Sequence, residues 1–107
     1  MAVMQVVKLT TPLAQAEVHA LMQRRAPEYR EVLGLIQKYY GSGSAANEFF
    51  GVYIFDSQDA LEAFRASELA RSISSAFRAH STRVEDFDLL FSLHQDSAEL
   101  GLSAFSV

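Results

Sequence analysis

The chain has 107 residues, of which 50% are hydrophobic and 21% are charged, and its formal net charge is −4. This length and composition predict one globular domain and exclude a disordered chain. Its nine Lys and Arg residues are spread along the sequence, which argues against a nucleic-acid-binding surface. The absence of cysteine excludes disulfides, thiol chemistry and cysteine-based metal sites, and we expect a cytoplasmic protein.

The N-terminal segment, residues 2–9, is short and rich in Val, as expected of a buried strand. It lacks the basic leader of a signal peptide and is too short to span a membrane. Thr11 and Pro12 form a helix start signal, because the hydroxyl can cap free N–H groups and proline suits the first helical position. We expect Pro27 to end or kink this helix. The residues that recur at helical spacing along it are Ala14, Val18, Leu21, Met22 and Arg25.

Two strands are predicted next, at residues 32–40 and 49–56. The loop between them, GSGSAANE, is too short for a crossover, so the two strands should pair antiparallel. A strand with one face in water should alternate between apolar and polar residues. Neither of these strands does so, and both are therefore expected to carry large apolar side chains on both faces.

A second helical region and a last strand complete the predicted elements. Asp56 or Ser57 can cap the helical region, which runs to His80 with a break expected at Ser67. Alternating residues in 82–93 predict the final strand. Its apolar side is formed by Phe87, Leu89, Phe91 and Leu93, and its polar side by Asp86, Asp88 and Ser92.

The predicted order β-α-β-β-α-β is that of an α+β, ferredoxin-like fold spanning residues 1–107 as a single domain. Right-handed crossovers around a central hairpin give a four-stranded antiparallel sheet with both helical regions on one face.

The other face of the sheet would then expose large apolar side chains. Depending on register, the exposed set is either Leu35, Tyr39, Val52 and Ile54, or Ile36, Tyr40, Tyr53 and Phe55. Burying several of them is worth about 10 kcal/mol before the costs of association. We therefore expect a homodimer joined through this face, with the apolar tail, residues 94–107, packing on the partner subunit. The alternative is that the tail or a loop covers the chain's own sheet.

The two central strands and the following helix resemble the YdhR-like monooxygenases, relatives of the antibiotic-biosynthesis monooxygenases. The residues that carry the resemblance are Gly34, Lys38, Tyr40, Gly51, Tyr53, Phe55 and the stretch 57–69. The resemblance implies a dimeric α+β barrel with a ligand cavity in each subunit. It also implies cofactor-independent oxygenation of a small aromatic or quinol-like compound. Better-known members use Trp-containing groups and this chain has no Trp, so haem degradation is not expected.

Oxygenation without a cofactor needs a dry pocket, donors for a phenolate-like anion and a base. Lys38 can supply positive charge, Tyr53 can donate a hydrogen bond, and His80 can serve as general base. These three are the predicted catalytic residues. The alternative for His80 is that it only decorates a helix C-terminus, where positive charge is favoured.

The predicted substrate-binding residues are Tyr39, Tyr40, Phe55, Phe64 and Phe77. The tyrosines could equally be core or rim residues with their hydroxyls at an edge. In that case, the chain would be a non-catalytic dimeric module that binds a small hydrophobic or aromatic ligand.

Other polar residues carry weaker signals. His19 should be solvated, and Asn47 should turn the chain in its loop rather than gate a pocket. His94 and Asp96 offer only two metal ligands, so we expect no metal site.

Overall fold

The computed structural model describes residues 1–93. Its elements are β1 (Val3–Thr10), α1 (Gln15–Arg30), β2 (Leu35–Ser42), β3 (Glu48–Phe55), α2 (Gln58–Arg65), α3 (Glu68–Arg71), α4 (Ile73–Ala76) and β4 (Ser81–Asp88). The strands form one antiparallel sheet in the order β2-β3-β1-β4. The predicted ferredoxin-like α+β fold is confirmed. None of the helices in residues 1–93 has the length and apolar character needed to cross a membrane.

One face of the sheet packs against the helices and forms the core. Along β1 the side chains alternate strictly, with Val3, Gln5, Val7 and Leu9 buried and their neighbours half-buried or exposed. Tyr53 and Phe55 of β3 point to the same face. The buried hydrophobic side chains are Val3, Val7, Leu9, Val18, Tyr29, Phe49, Tyr53, Phe55, Leu61, Phe64, Ile73 and Phe77.

The opposite face carries the apolar residues that were expected to meet a partner. We call it the open face and define it by Met4, Val6, Tyr39, Phe50, Val52, Ile54 and Phe87, which cross-strand pairing and alternation place on one side. Tyr39 is 52% exposed and Phe87 is 44% exposed, and the others are half-buried.

A β-bulge decides which of the two predicted sets faces outward. The register of β2 against β3 shifts between Leu35 and Gln37, so Ile36 is the extra residue. Leu35 consequently packs against the core, although it was grouped with outward-facing residues, and Ile36 is exposed. The other three members of that predicted set, Tyr39, Val52 and Ile54, lie on the open face as expected.

Helix α1 begins later and ends later than predicted. Its N-cap is Ala14 and not Thr11. Thr11 is fully buried, and its hydroxyl donates to the carbonyl oxygen of Phe77 at 2.6 Å and accepts from the backbone N–H of Leu13 at 3.1 Å. The hydroxyl therefore ties two segments together instead of capping the helix. Pro27 lies inside the last turns and the helix continues to Arg30, because Tyr29 is anchored in the core.

Serine caps divide the second helical region. The Ser57 hydroxyl accepts from the Ala60 N–H, and the Ser67 hydroxyl accepts from the Ala70 N–H, so α2 and α3 begin as the sequence indicated. A further break at Ser72 separates α3 from α4.

Strand β4 is shorter than predicted. It ends at Asp88, whereas the alternation had predicted a strand to residue 93. Leu90, Phe91 and Leu93 are more than 80% exposed and lie outside the sheet. Asp86 points to the helical side, where it accepts hydrogen bonds from Gln5 and Arg65.

We expect Gly34→Ala to lower the free energy of unfolding by about 1–3 kcal/mol. Gly34 has φ +81°, and a Cβ there would lie 2.5 Å from the Ala60 Cβ and 2.8 Å from an Asp56 carboxylate oxygen. Urea denaturation measures the loss. Gly43→Ala is the matched control, because its Cβ would meet only the Glu48 side chain, which can rotate away. Equal losses in the two variants would contradict this account of Gly34.

Candidate functional site

An aromatic cluster lies between β3 and the helices. Tyr53 packs against Tyr29 of α1, with ring centroids 5.9 Å apart, and against Phe64 of α2, at 5.3 Å. Phe55 stacks parallel to Tyr53 at 6.3 Å. Such ring pairs stabilise beyond the area that they bury, so this cluster is a rigid wall.

Lys38 of β2 extends its amine into the edge of this cluster. Lys38 pairs with Tyr53 across the sheet, and Tyr40 follows two residues later on the same face. The Lys38 Nζ lies 3.2 Å from the ring centroid of Tyr29, 4.4 Å from that of Tyr40 and 4.6 Å from that of Tyr53. Three tyrosines from three different elements therefore surround one amine.

The surroundings of Lys38 make its amine easy to deprotonate. Burial, and to a lesser extent the positive charge of Arg25, lowers the pKa of Lys38 from 10.5 to about 6. The faces of the three tyrosine rings attract a cation and so act in the opposite direction. Near neutral pH, most Lys38 side chains are consequently neutral amines, and a neutral amine can accept a proton.

The tyrosines keep their protons. Burial raises the pKa of Tyr53 far above its usual value, and the neighbouring Tyr29 raises it further. Burial and Tyr29 raise the pKa of Tyr40 in the same way. Both hydroxyls thus stay protonated and neither is a base, and a hydrogen bond with Tyr29 engages the Tyr53 hydroxyl.

Arg25 of α1 is the second cation of the site. Its Nη2 donates to the Leu69 carbonyl oxygen at 3.2 Å and to the Ser72 hydroxyl at 3.1 Å, and its guanidinium lies over the Phe77 ring at 5.9 Å. Its Nε is buried and has no hydrogen-bond partner.

These residues border a small cavity between the sheet and the helices. Its volume is about 40 Å³, which is room for a few water molecules, whereas a cavity that holds benzene measures about 150 Å³. Its lining is formed by Val7, Leu9, Met22, Arg25, Tyr29, Lys38, Tyr40, Phe49, Phe50, Gly51, Tyr53, Ile73 and Phe77. Tyr40 is its most exposed aromatic side chain, at 37%.

A second, larger cavity adjoins the first. It measures about 280 Å³ and lies between β1, β4 and the helices α2–α4. Val7 and Ile73 line both cavities and form their common wall. Phe64, Ala70 and Val84 complete the apolar lining of the second cavity, which is large enough for an aromatic ring.

The predicted substrate-binding residues divide among four places. Tyr40 and Phe77 line the first cavity and Phe64 lines the second. Phe55 is fully buried in the core and borders neither cavity. Tyr39 lies on the open face, so within one subunit it is on the opposite side of the sheet from Lys38.

Of the predicted catalytic residues, the structure brings Lys38 and Tyr53 together and leaves His80 apart. His80 is exposed immediately before β4, where its N–H donates to the Thr10 carbonyl oxygen at 2.8 Å, and it lines neither cavity. The catalytic role of all three stays a prediction.

The weaker candidates lie away from the site. His19 is exposed, and Asn47 has φ 64°, a left-handed turn conformation. His94 and Asp96 fall outside the described residues. Within residues 1–93, no three His, Asp or Glu side chains are grouped so that they could hold a metal ion.

Two residues of the site, Arg25 and Tyr29, were not among the sequence candidates. Arg25 is a charged residue at a position of the apolar stripe of α1, and a charge at such a position is the sequence feature that could have marked it as a site residue. Tyr29 follows it one turn later but lies after Pro27, where the sequence predicted that the helix ends or kinks. Because α1 continues past Pro27, both side chains face the sheet.

The comparison with solved structures identifies the fold. SnoaB from Streptomyces nogalater, a cofactor-independent oxygenase, matches with a TM-score of 0.71 at 18% identity, over 88% of this chain and 98% of that protein. The fold is that of the antibiotic-biosynthesis monooxygenases. The expected resemblance is thus confirmed for the fold, and the narrower YdhR-like relationship stays a prediction.

Two further structures, each described as a candidate antibiotic biosynthesis monooxygenase, agree. The protein from Caulobacter crescentus matches with a TM-score of 0.69 at 17% identity, over 84% of this chain and 91% of that protein. The protein from Deinococcus radiodurans matches with a TM-score of 0.67 at 12% identity, over 90% and 99%. No family model and no curated protein sequence matches the chain.

We expect the buried Lys38 amine to make stability depend on pH between about 6 and 10.5. In this window the unfolded chain holds the Lys38 proton and the folded chain does not. Raising the pH therefore favours the folded state, by up to about 1.4 kcal/mol per pH unit. Lys38→Met removes this contribution, so the stability advantage of the variant should be largest near pH 6 and shrink as the pH rises.

Urea denaturation across this pH range measures the effect. Arg24→Met is the matched control, because it removes a positive charge at an exposed position of α1 outside both cavities, and the difference in stability between this variant and the unaltered protein should stay constant across the range. Parallel pH profiles for Lys38→Met and the unaltered protein would contradict the burial of a neutral amine.

Proposed function

We propose that the chain is a cofactor-independent oxygenase that acts on a small, electron-rich aromatic or quinol-like compound and works as a homodimer. The observation that carries this proposal is the Lys38 amine, whose pKa is lowered to about 6, held among three tyrosine rings at a cavity edge. The fold shared with SnoaB, itself a cofactor-independent oxygenase, supports it.

The chemistry needs only a proton acceptor, oxyanion donors and molecular oxygen. Lys38 takes a proton from an acidic CH₂ group of the substrate and leaves a carbanion whose charge spreads onto a phenolate-like oxygen. The carbanion adds to O₂, forming a C–O bond, and the peroxide takes the proton back from Lys38. Loss of water from this hydroperoxide leaves a ketone, so that R₂CH₂ and O₂ become R₂C=O and H₂O. The substrate itself supplies the electrons.

The tyrosines stabilise the substrate anion by donating hydrogen bonds to it. Tyr40 and Tyr53 keep their protons because burial raises their pKa values. A ring does not fit a cavity of about 40 Å³, so the substrate enters as Tyr40, the most exposed aromatic of the lining, turns outward.

The open face supports assembly into a dimer. It presents seven apolar side chains, with Lys8, Arg83 and Glu85 at its β1–β4 side, and no helix of residues 1–93 covers it. A twofold axis through such a patch brings it against itself and removes it from water, and this makes a second copy the fitting partner.

We expect Lys38→Met to lower the rate of oxygen consumption with an anthrone or quinol substrate by about 10²–10⁴-fold, the usual contribution of a general base. The assay uses protein stripped of metal and flavin. Tyr53→Phe should also slow turnover, by a smaller factor, because it removes one donor to the anion.

His80→Ala serves as the comparison in the same assay. We assign the base to Lys38, so this variant should retain the unaltered rate, whereas a loss equal to that of Lys38→Met would transfer the role to His80. Unchanged turnover in Lys38→Met and Tyr53→Phe would remove both residues from the mechanism.

For assembly, we expect Val52→Lys to convert the dimer to a folded monomer. Val52 lies on the open face between Tyr39 and Val6, and its side chain does not enter the core. Light scattering after size exclusion gives the mass, and circular dichroism reports the fold. Ala63→Lys adds the same charge at an exposed position of α2 and should leave the dimer intact. A monomeric unaltered protein would contradict the proposed assembly.

A second function is favoured by the larger cavity. At about 280 Å³ it accepts an aromatic ring and contains neither Lys38 nor a tyrosine, so a ligand there would be bound and not transformed. Thermal stabilisation by small aromatic compounds without oxygen consumption would favour this non-catalytic binding module over the oxygenase.

A further inference from the structure

We propose that the cavity beside Arg25 and Lys38 binds the oxyanion of an organic acid, a carboxylate or a phenolate, and that binding loads a proton onto Lys38. Such an acid is a further ligand of the cavity and not the substrate of the proposed function, because an ammonium ion at Lys38 cannot take a proton from a substrate. Anion binding itself can be measured without turnover.

The cavity lining contains basic side chains and no acidic ones. Arg25 and Lys38 both line it. Within residues 1–93, the ion pairs are Arg65 with Asp86 and Arg71 with Glu68, so neither the Arg25 guanidinium nor the Lys38 amine has a carboxylate partner there. Two uncompensated basic groups in a partly dry site favour a negatively charged ligand, because the surrounding protein screens the attraction less than water does.

The hydrogen-bonding capacity of Arg25 is incompletely used. Its Nη2 is bonded to Leu69 and Ser72, whereas its Nε is buried without a partner. A buried N–H group that has given up its hydrogen bond to water without forming another one lowers the stability of the fold. Arg25 lines the cavity, so an oxyanion there would form with its guanidinium the charge-assisted contact that such groups favour.

The size of the cavity selects the group that enters. A volume of about 40 Å³ suits a carboxylate or a single hydroxyl and its water, and excludes a whole ring. The apolar side chains of Met22 and Phe49 and the ring of Tyr40 lie around it. They fit the hydrocarbon part of the same ligand, which makes an aromatic acid or an acidic phenol the matching chemistry.

Binding of an anion should be coupled to proton uptake. The titratable and charged groups that line the cavity are Arg25 and Tyr29 from α1, Lys38 and Tyr40 from β2, and Tyr53 from β3. The lining residues of β1 and α4 are apolar. Lys38 is the one of these groups whose pKa, about 6, lies below neutral pH. A nearby oxyanion raises that pKa, so the amine becomes an ammonium ion as the ligand binds.

The test is calorimetric titration at pH 8 without oxygen, in two buffers with different ionisation enthalpies. Benzoate and acetate are the anionic probes, and benzamide and acetamide are their neutral matches. We expect benzoate to bind at least about tenfold more tightly than benzamide. The difference between buffers should report uptake of close to one proton per site.

Variants locate the site. Arg25→Met and Lys38→Met should each weaken benzoate binding by about tenfold or more, and Lys38→Met should abolish the proton uptake. Arg24→Met removes an exposed cation of α1 that lines neither cavity and should bind benzoate as the unaltered protein does. Three results with the unaltered protein would each overturn the inference. They are equal affinity for each anion and its neutral match, no binding of either anion, and anion binding without proton uptake.

The anion site and the proposed oxygenase function can be accepted or rejected independently of each other. Benzoate binding with proton uptake in a protein that consumes no oxygen with any quinol or anthrone would uphold the anion site and reject the oxygenase. Oxygen consumption in a protein that binds benzamide and acetamide more tightly than the anions would uphold the oxygenase and reject the anion site.

Discussion

The packing of aromatic rings between β3 and the helices is the interaction on which the rest of the molecule depends. Tyr53 contacts Tyr29, Phe55 and Phe64, with ring centroids between 5.3 and 6.3 Å apart. These contacts hold α1 and α2 against the same strand. They also explain why α1 continues past Pro27, since the core position of Tyr29 compensates for the hydrogen bond that proline cannot make.

The same packing creates the chemistry of the site. An amine that extends along rings and away from water loses hydration, and no carboxylate within residues 1–93 pairs with it. A lysine at the edge of a core is unfavourable for folding, whereas a neutral amine beside hydroxyl donors is useful for proton transfer. The cluster thus exchanges some stability for reactivity at one position and keeps the surrounding wall rigid.

The two faces of the sheet have different tasks. The helical face encloses two cavities that share Val7 and Ile73 as a wall. The open face is largely apolar, with charged residues beside β4, and lacks a cover within residues 1–93. Because side chains alternate along a strand, neighbouring residues such as Tyr39 and Tyr40 serve opposite faces, and assembly and ligand binding can be altered separately.

The sequence by itself determined the order of the elements and the serine caps at Ser57 and Ser67. It also determined that the sheet carries more large apolar side chains than one buried face needs. Hydrophobic periodicity and capping are local properties, so both can be read from neighbouring residues. Lys38 and Tyr53 could be selected as candidates from their residue types alone. Their contact with Tyr29 and Arg25 could not, because it depends on how far α1 extends and how it packs. The tertiary structure also decided which face each strand residue serves, since one bulge at Ile36 reverses the alternation of β2 and no local pattern marks its position.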